Sequence, residues 1–269
     1  MYYIDYLNKV QIFMKNIRML LFDLDGTILN SDNLVSPITA SVLNACKLKG
    51  YYMGFITARS SSKKNVYLLS KLPCDFIAFY NGAMIYAKNC LIESNTLYYR
   101  QANKMLKKIN KDFPKIKIDI HQEPWAFSNA CNCIRNLETE EQRFCTLAQL
   151  PKLDVQRVRL KSEFLMSVPL KKYMFSESIF YYTISGDAII VHKNANKGNA
   201  ARKASRFFNI PLSQIVAFGD DINDIEMIEI VGTGVAMGNA VSELKNVADY
   251  ITETNDNDGI ATWINKYLL

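Results

Sequence analysis

The chain has 269 residues, of which 49% are hydrophobic and 22% are charged, with a formal net charge of +6. These proportions exclude collagen-like and low-complexity classes and argue against wholesale disorder. No apolar run approaches the ~18 residues that a membrane-spanning helix requires, so no membrane association is expected. Residues 84–185 hold 16 Lys and Arg against 10 Asp and Glu, so the excess positive charge lies in this middle segment. Such a segment either attracts an anionic substrate or forms a solvated helix face.

Other features of composition narrow the class of protein further. The basic segment is not interleaved with aromatic residues in the way a nucleic-acid-binding stripe would be, so no nucleic-acid partner is expected. The six cysteines match no zinc-binding spacing, and disulfide frameworks belong to small secreted chains. Reduced thiols and a cytoplasmic protein are therefore expected. Residues 1–18 show no secretory pattern and form a possible N-terminal extension. Oligomeric state is not encoded in any visible pattern.

The first third of the chain has the rhythm of a parallel α/β sheet. Residues 17–22 form a short apolar run that stops at Asp23, which is typical of a buried strand. Ser36 and Pro37 are a helix N-cap and first helical position, and the helix should end near Gly50. Strands are predicted over 51–56 and 76–79.

The middle segment has a different pattern. Helical spacing of apolar residues predicts a helix around 102–113, and alternation predicts strands over 115–120, 155–160 and 179–184. This mixture indicates an α+β module with an antiparallel sheet.

After Gly186 the first rhythm returns, with a helix over 196–208 and strands over 215–218 and 234–237. The sequence thus predicts an α/β core domain formed by residues 1–83 and 186–269, interrupted by a second domain over 84–185.

Polar residues follow the strands predicted for the core domain. They are Asp23 and Asp25 after the first strand, Thr57 after the second, and Asp220, Asp221 and Asp224 after the fourth, with Lys197 at a helix start. The carboxyl ends of parallel strands meet at one edge of a sheet. Carboxylates crowded there repel one another unless a cation lies among them, and oxygen ligands of this kind suit Mg²⁺. A metal with open positions, together with Lys and Thr, would bind a phosphoryl group.

These residues resemble the motifs of the haloacid dehalogenase (HAD) superfamily. The run 23–27, Asp-Leu-Asp-Gly-Thr, is similar to its first motif, DxDGT. Thr57, Lys197 and residues 219–224 correspond in order to the second, third and fourth motifs. Segments 81–83 and 234–240, and the tail around 248–249 with 255–259, resemble the Cof-type branch with a C2B cap. The Asn-Gly and Gly-Asn pairs in the first two segments are equally well explained as turns. The resemblance begins near residue 19 and implies a doubly wound, Rossmann-like parallel-sheet core with an inserted α+β cap domain.

The resemblance also implies a role for each site residue. Asp23 would be the nucleophile that forms an aspartyl phosphate, and Asp25 the general acid and base. Mg²⁺ would be bound by Asp23, the main-chain carbonyl of Asp25, and Asp220. Phosphoryl oxygens would be bound by Thr57, Lys197 and Asn223. Asp224 would orient Lys197, and Asp221 either assists through water or is an exposed turn residue.

The predicted function is a Mg²⁺-dependent phosphatase for a small phosphorylated metabolite, such as a sugar phosphate or a cofactor phosphate. A halide leaving group needs no acid, so Asp25 favours phosphate esters over dehalogenation. A phosphomutase and a non-catalytic sensor of a phosphorylated ligand remain as alternatives. The cap would select the substrate, and its candidate contacts are Trp125, His121, Arg135, Arg159 and Lys161. In such positions a tryptophan is more often a packing residue and basic residues are more often solvated.

Overall fold

The computed structural model describes residues 16–163, 165–183 and 185–269, which form two compact units. The first unit comprises the chain up to Ala58 together with Tyr67–Ile92 and Asn196–Leu269. The second comprises Arg59–Val66 and Glu93–Ala195. Most of the proposed extension 1–18 lies outside the described residues. Within the described ranges, no helix combines the length and the apolar character needed to cross a bilayer.

The helices and strands follow one another in the order expected of an interrupted α/β chain. The strands are β1 (Met19–Phe22), β2 (Tyr52–Ile56), β3 (Phe76–Phe79), β4 (Met84–Ala87), β5 (Cys90–Ser94), β6 (Lys117–Gln122), β7 (Trp125–Ser128), β8 (Cys133–Asn136), β9 (Gln142–Phe144), β10 (Arg157–Lys161), β11 (Ser178–Tyr182), β12 (Ala188–His192), β13 (Ile215–Gly219), β14 (Thr233–Ala236) and β15 (Tyr250–Ile251). The helices are α1 (Pro37–Leu48), α2 (Lys63–Leu69), α3 (Tyr99–Asp112), α4 (Lys197–Phe208), α5 (Ile225–Ile230), α6 (Ser242–Val247) and α7 (Gly259–Tyr267).

The first unit contains an eight-stranded sheet in the order β15-β14-β13-β1-β2-β3-β4-β5. From β15 to β3 all neighbours are parallel, and β4 pairs antiparallel with β3. Strand β1 lies between β13 and β2, so that Met19 is opposite both Ile215 and Tyr52, and all four of its residues are buried. The doubly wound parallel core predicted from the sequence is confirmed, with an antiparallel edge that the sequence did not reveal.

Side-chain caps fix where two helices of this unit begin. The Ser36 hydroxyl accepts a hydrogen bond from the amide of Thr39 at 3.0 Å, and Pro37 follows as the first residue of α1. The Asn196 side chain accepts a hydrogen bond from the amide of Asn199 at 2.7 Å, so α4 begins at Lys197. Because the cap is a side-chain acceptor, the start of each helix is defined by the sequence.

The second unit is built on an antiparallel sheet in the order β11-β12-β10-β6-β7-β8-β9. Its core contains the buried face of α3, formed by Ala102, Met105, Leu106 and Ile109. The predicted α+β character is therefore present. Strand β12 (Ala188–His192) belongs to this sheet, although the sequence placed the domain limit before it, at 185. The predicted strand over 179–184 corresponds to β11, and its residue 184 lies outside the described residues.

One expectation about the cysteines is wrong. Cys131, in the turn after β7, and Cys133, the first residue of β8, are paired in a disulfide bond, where reduced thiols were expected. The four other cysteines are free, and Cys46 and Cys145 are buried. The expectation rested on the absence of a zinc-binding spacing and on the rarity of disulfide frameworks outside small secreted chains, and neither argument tests a pairing of two cysteines within one tight turn.

Candidate active site

The candidate site lies at the carboxyl edge of the parallel sheet in the first unit. Asp23 directly follows β1, and its amide donates a hydrogen bond to the carbonyl of Phe218 in β13 at 3.0 Å. This bond continues the parallel ladder by one residue beyond the strand. Only 5% of Asp23 is exposed, so a carboxylate is held at the buried end of the central strand.

Lys197 brings two of the predicted carboxylates together. Its ammonium lies 2.6 Å from Asp23 Oδ1 and 2.7 Å from Asp224 Oδ1, and all three side chains are buried. Burial alone lowers the pKa of the Lys197 ammonium, but the charges of Asp224 and Asp23 outweigh it and hold the pKa above its usual value. Lys197 is therefore a permanent positive charge at this edge.

Asp220 completes a cluster of three carboxylates. One oxygen each of Asp23, Asp220 and Asp224 lies within 4.8 Å of the others. Burial, followed by the charge of Asp224, raises the pKa of Asp220 to about 6. Burial also raises the pKa of Asp23 well above its usual value, with Lys197 opposing this effect and Asp224 and Asp220 adding to it. A single ammonium thus leaves negative charge uncompensated, and a divalent cation would relieve the remainder.

The two oxygens of Asp224 are already engaged. Oδ1 contacts Lys197, and Oδ2 accepts hydrogen bonds from the amides of Asp220 and Asp221, each at 3.2 Å. Asp23 and Asp220 are therefore better placed than Asp224 to donate oxygens to a cation. Asp224 thus binds the Lys197 ammonium and accepts the two hydrogen bonds that fix the start of the turn after β13.

Asp25 and Asp221 are less enclosed than the carboxylates of the cluster. Asp25 is exposed, and its backbone forms an isolated parallel bridge with Leu29, which fixes the loop after β1. The Asp221 carboxylate accepts a hydrogen bond from the amide of Ile222 at 2.7 Å and caps the short turn Ile222–Asp224. Asp221 therefore has a local structural role in this turn.

Thr57 follows β2, and Asn223 lies in the turn after β13, on either side of β1 in the sheet order. Thr57 is fully buried, and its amide donates to the carbonyl of Ala78 at 2.9 Å. Asn223, in the turn after β13, donates from Nδ2 to Asn81 Oδ1 at 3.3 Å.

The sequence profile of the haloacid dehalogenase-like hydrolases matches residues 20–264. The chain belongs to this family. Among relatives, the 5-amino-6-(5-phospho-D-ribitylamino)uracil phosphatase YcsE of Bacillus subtilis is 28% identical over 255 residues, covering 94% of this chain and 97% of its own. The phosphatase YwpJ of the same organism is 46% identical over 77 residues, covering 29% of this chain and 27% of its own. The names of these relatives support the predicted phosphatase class of enzyme.

Solved structures share the fold of this haloacid dehalogenase-like hydrolase. TM0651 from Thermotoga maritima has a TM-score of 0.79 at 22% identity, covering 93% of this chain and 97% of its own. The phosphatase BT1666 from Bacteroides thetaiotaomicron has a TM-score of 0.78 at 20% identity, covering 93% of this chain and 95% of its own. The HAD subclass IIB sugar phosphatase BT4131 has a TM-score of 0.76 at 20% identity, covering 93% and 98%. The family model confirms the predicted family, and these solved structures share the fold of the chain.

Two features beside the carboxylates were missed by sequence reasoning. Thr27, buried, donates its hydroxyl proton to Asp220 Oδ1 at 3.1 Å. Gly26 has a φ of +75°, and a Cβ placed there would lie 2.2 Å from Asp220 Oδ2. In this family member, Gly26 and Thr27 therefore serve the carboxylate of Asp220 rather than only turning the chain. The DxDGT pattern itself contained this signal.

A second missed feature is a pair of asparagines that are hydrogen-bonded to the loop after β1. Asn239 Nδ2 donates to the carbonyl of Gly26 at 2.8 Å, and Asn239 Oδ1 accepts from the amide of Asn255 at 3.0 Å. Asn255 Nδ2 in turn donates to the carbonyl of Leu29 at 2.8 Å. The Asn239 and Asn255 side chains therefore fix both ends of the segment that contains Thr27. They belong to the Gly-Asn pair and the 255–259 segment noted in the sequence.

The cap residues named from the sequence have partners within the second unit. Arg159 Nε donates to Asp187 at 2.6 Å, and Lys161 lies 2.9 Å from Asp119. Trp125 has the Arg143 guanidinium 4.7 Å from its ring centroid, and His121 lies 3.4 Å from Arg157. These contacts give each of the four a structural role within its own sheet. Arg135 is exposed on β8.

Proposed function

We propose that the protein is a Mg²⁺-dependent phosphatase that acts through an aspartyl phosphate on Asp23. The observation that carries this proposal is the pairing of Asp23 with Lys197 at 2.6 Å, inside a cluster that also contains Asp220. The cluster has more negative charge than the ammonium compensates, and its donors are carboxylate oxygens. Asp23, Asp220 and the main-chain carbonyl of Asp25 would hold the cation. When bound, Mg²⁺ neutralises charge on the phosphoryl oxygens and the nucleophile.

In the first half of the reaction a carboxylate oxygen of Asp23 attacks phosphorus in line with the leaving oxygen. The new bond joins Asp23 to phosphorus, the ester bond breaks, and Asp25 gives its proton to the leaving oxygen. Asp25 is exposed, so its carboxyl group lies where the leaving group of a substrate can approach it. Lys197, Thr57 and Asn223 bind phosphoryl oxygens, and Asp224 keeps the Lys197 ammonium in place.

In the second half a water molecule attacks the phosphorus of the aspartyl phosphate. Asp25, now ionised, takes a proton from this water, and the bond to Asp23 breaks to release inorganic phosphate. General acid–base assistance of this kind contributes about 10²–10⁴-fold to the rate. Asp25 is then protonated again, as the next reaction cycle requires.

The substrate class that we propose is a small phosphorylated metabolite, either a sugar phosphate or a cofactor phosphate. Support comes from the names of similar proteins: YcsE is named for a phosphoribityl substrate, and BT4131 is named a sugar phosphatase. A panel of such phosphate esters, assayed for release of inorganic phosphate, would rank the candidates. Conversion of a phosphate ester to its isomer without release of phosphate would favour a phosphomutase instead.

Replacement of the nucleophile tests the mechanism. We expect the protein to release phosphate from p-nitrophenyl phosphate in the presence of Mg²⁺, and Asp23→Asn to lower kcat by about 10⁴-fold or more, because an amide cannot form the covalent intermediate. Asp32→Asn, an exposed carboxylate on the loop after β1, is the matched control and should leave kcat unchanged. Turnover that survives both the Asp23 substitution and a chelator would overturn the mechanism.

A further inference from the structure

The turn Tyr80–Gly82, which joins β3 to β4, has an unusual backbone. Its three residues have φ values of +52°, +57° and +106° in succession. A non-glycine residue with positive φ is uncommon, and a bulky aromatic one such as Tyr80 is a clear outlier that its surroundings must hold in place. The connection spans four residues between paired Phe79 and Met84, and a four-residue hairpin connection is most often built around an ordinary type I turn. The hairpin alone does not require this conformation.

The turn is bonded to the end of the strand that bears Thr57. The amide of Asn81 donates to the carbonyl of Thr57 at 2.8 Å, while the amide of Thr57 donates to Ala78 at 2.9 Å. Both main-chain groups of Thr57 are thereby fixed by the segment around the turn. The peptide group that makes this bond lies between Tyr80 and Asn81, and both residues have positive φ values.

The side chain of Asn81 reaches the fourth motif. Its Oδ1 accepts the hydrogen bond from Asn223 Nδ2 at 3.3 Å, across 142 residues of sequence, and only 7% of Asn81 is exposed. The Oδ1 of Asn223 is buried and has no hydrogen-bond partner. The contact with Asn81 is thus the hydrogen bond that fixes the orientation of the Asn223 amide.

Gly82 contacts the start of the helix that bears Lys197. A Cβ placed on Gly82 would lie 3.1 Å from the carbonyl oxygen of Asn196 and 3.3 Å from the Cβ of Ala200. Asn196 is the N-cap of α4, so the turn packs directly against the first residues of this helix. Glycine is required here both by its φ and by the close approach.

We propose that the Tyr80–Gly82 turn is a positioning element for the phosphate-binding groups, with Asn81 as the residue that orients Asn223. The turn contacts three separate segments, the ends of β2 and β13 and the start of α4, and each bears one predicted phosphate ligand. This inference rests on the proposed function, because the turn can position phosphate-binding groups only if Thr57, Asn223 and Lys197 bind phosphate. A turn that only closes the β3–β4 hairpin would need none of these contacts.

The test separates the side chain of Asn81 from its backbone. Asn81→Gly keeps the left-handed conformation and removes the acceptor for Asn223. We expect the KM for p-nitrophenyl phosphate and the inhibition constant of inorganic phosphate to rise about 5- to 10-fold, as for loss of one hydrogen bond, with kcat changed less than about threefold. Asn81→Ser has a side chain that is too short for its hydroxyl to reach Asn223, so this variant should behave in the same way. It replaces the glycine variant if that variant does not fold.

A double substitution distinguishes positioning from general loosening. If Asn81 acts through Asn223, Asn81→Gly combined with Asn223→Ala should have the same KM as Asn223→Ala alone. Asn89→Gly is the matched control, because Asn89 is also left-handed, with a φ of +63°, but lies exposed at the turn between β4 and β5. It should leave both constants unchanged.

The outcomes keep this inference apart from the proposed function. An unchanged KM in Asn81→Gly, or fold-changes that multiply in the double variant, would overturn the positioning role while leaving the phosphatase in place. If the wild-type protein does not hydrolyse p-nitrophenyl phosphate, stabilisation by inorganic phosphate in thermal melts decides instead. Its loss in Asn81→Gly would support the positioning role without catalysis, and its absence in the wild type would overturn both proposals.

Discussion

At the scale of single residues, the buried ammonium of Lys197 governs the stability of the candidate site. It lies between Asp23 and Asp224, and its own side chain is 1% exposed. Removing one member of a buried ionic group leaves the others with uncompensated charge and costs about 3–5 kcal/mol. The two carboxylates would then have to take up protons or bind a cation to remain buried.

We therefore predict that Lys197→Met, which preserves side-chain length, lowers the free energy of unfolding by about 3 kcal/mol in metal-free buffer at pH 7. Urea denaturation measures this change. Arg206→Met, an exposed cation near the end of the same helix, should change the free energy by no more than about 0.5 kcal/mol. Equal stability of the two variants would show that the ammonium is not needed to compensate the carboxylates.

Some residues of the site can be predicted from the sequence, whereas their long-range hydrogen bonds cannot. Asp23 and Lys197 are recognisable because each follows a strand end or a helix cap, and strand ends of a parallel sheet converge. The hydrogen bond from Thr27 to Asp220 spans 193 residues, and the bond from Asn239 to Gly26 spans 213. No local pattern states which of several distant polar groups a hydroxyl or an amide will meet, so these partners emerge only once the chain is folded.

At the scale of elements, strands and helices with strong periodicity are predictable and pairings at the edges are not. The predicted strand over 76–79 matches β3 throughout, and the predicted helix over 196–208 matches α4 with Asn196 as its cap. Strands β4 and β5 were not anticipated, and the antiparallel pairing of β4 with β3 has no counterpart in the parallel pattern of the preceding strands. The membership of β12 in the second sheet is likewise a property of pairing.

One strand of the second unit has a titratable group that links its stability to pH. His121 in β6 is half-buried, and burial, followed by the charge of Arg157, lowers its pKa to about 3, with Asp119 opposing the effect. In the unfolded chain the same group titrates near ~6.5. Between these values the unfolded state binds a proton that the folded state does not. The free energy of unfolding therefore falls as the pH drops from about 6.5 toward 3.

We predict that His121→Gln reduces this acid sensitivity, since glutamine keeps a polar side chain but cannot take up the proton. The quantity to measure is the difference in urea midpoint between pH 7 and pH 4.5, followed by the fluorescence of Trp125, which lies in the same sheet. His192→Gln is the comparison variant, because the pKa of His192 is lowered by a smaller amount, so this substitution should reduce the acid sensitivity less. An identical loss of midpoint in the wild type and in His121→Gln would contradict the linkage.

At the scale of the whole molecule, each of the two units contains one tryptophan, whose fluorescence can be followed separately. The chain has two tryptophans, Trp125 in the second unit and Trp263 in the first. Trp263 is 3% exposed and lies edge-on to Phe218, with 5.4 Å between ring centroids. Phe218 is in β13, two residues before Asp220. Events at the carboxylate cluster therefore have a reporter in the same unit, while Trp125 follows the other.

The last prediction uses this separation to detect the cation. A ligand that binds only the folded state stabilises it by about 2.7 kcal/mol at a concentration of 100 times its Kd. Mg²⁺ should therefore raise the unfolding midpoint seen by Trp263 in a Trp125→Phe background, because Asp23 and Asp220 are brought together only in the folded first unit. Asp220→Asn should abolish the shift, and Asp32→Asn should preserve it. An equal rise of the unfolding midpoint in Asp220→Asn would mean that the cation binds elsewhere. This conclusion holds whether the two units unfold together or separately.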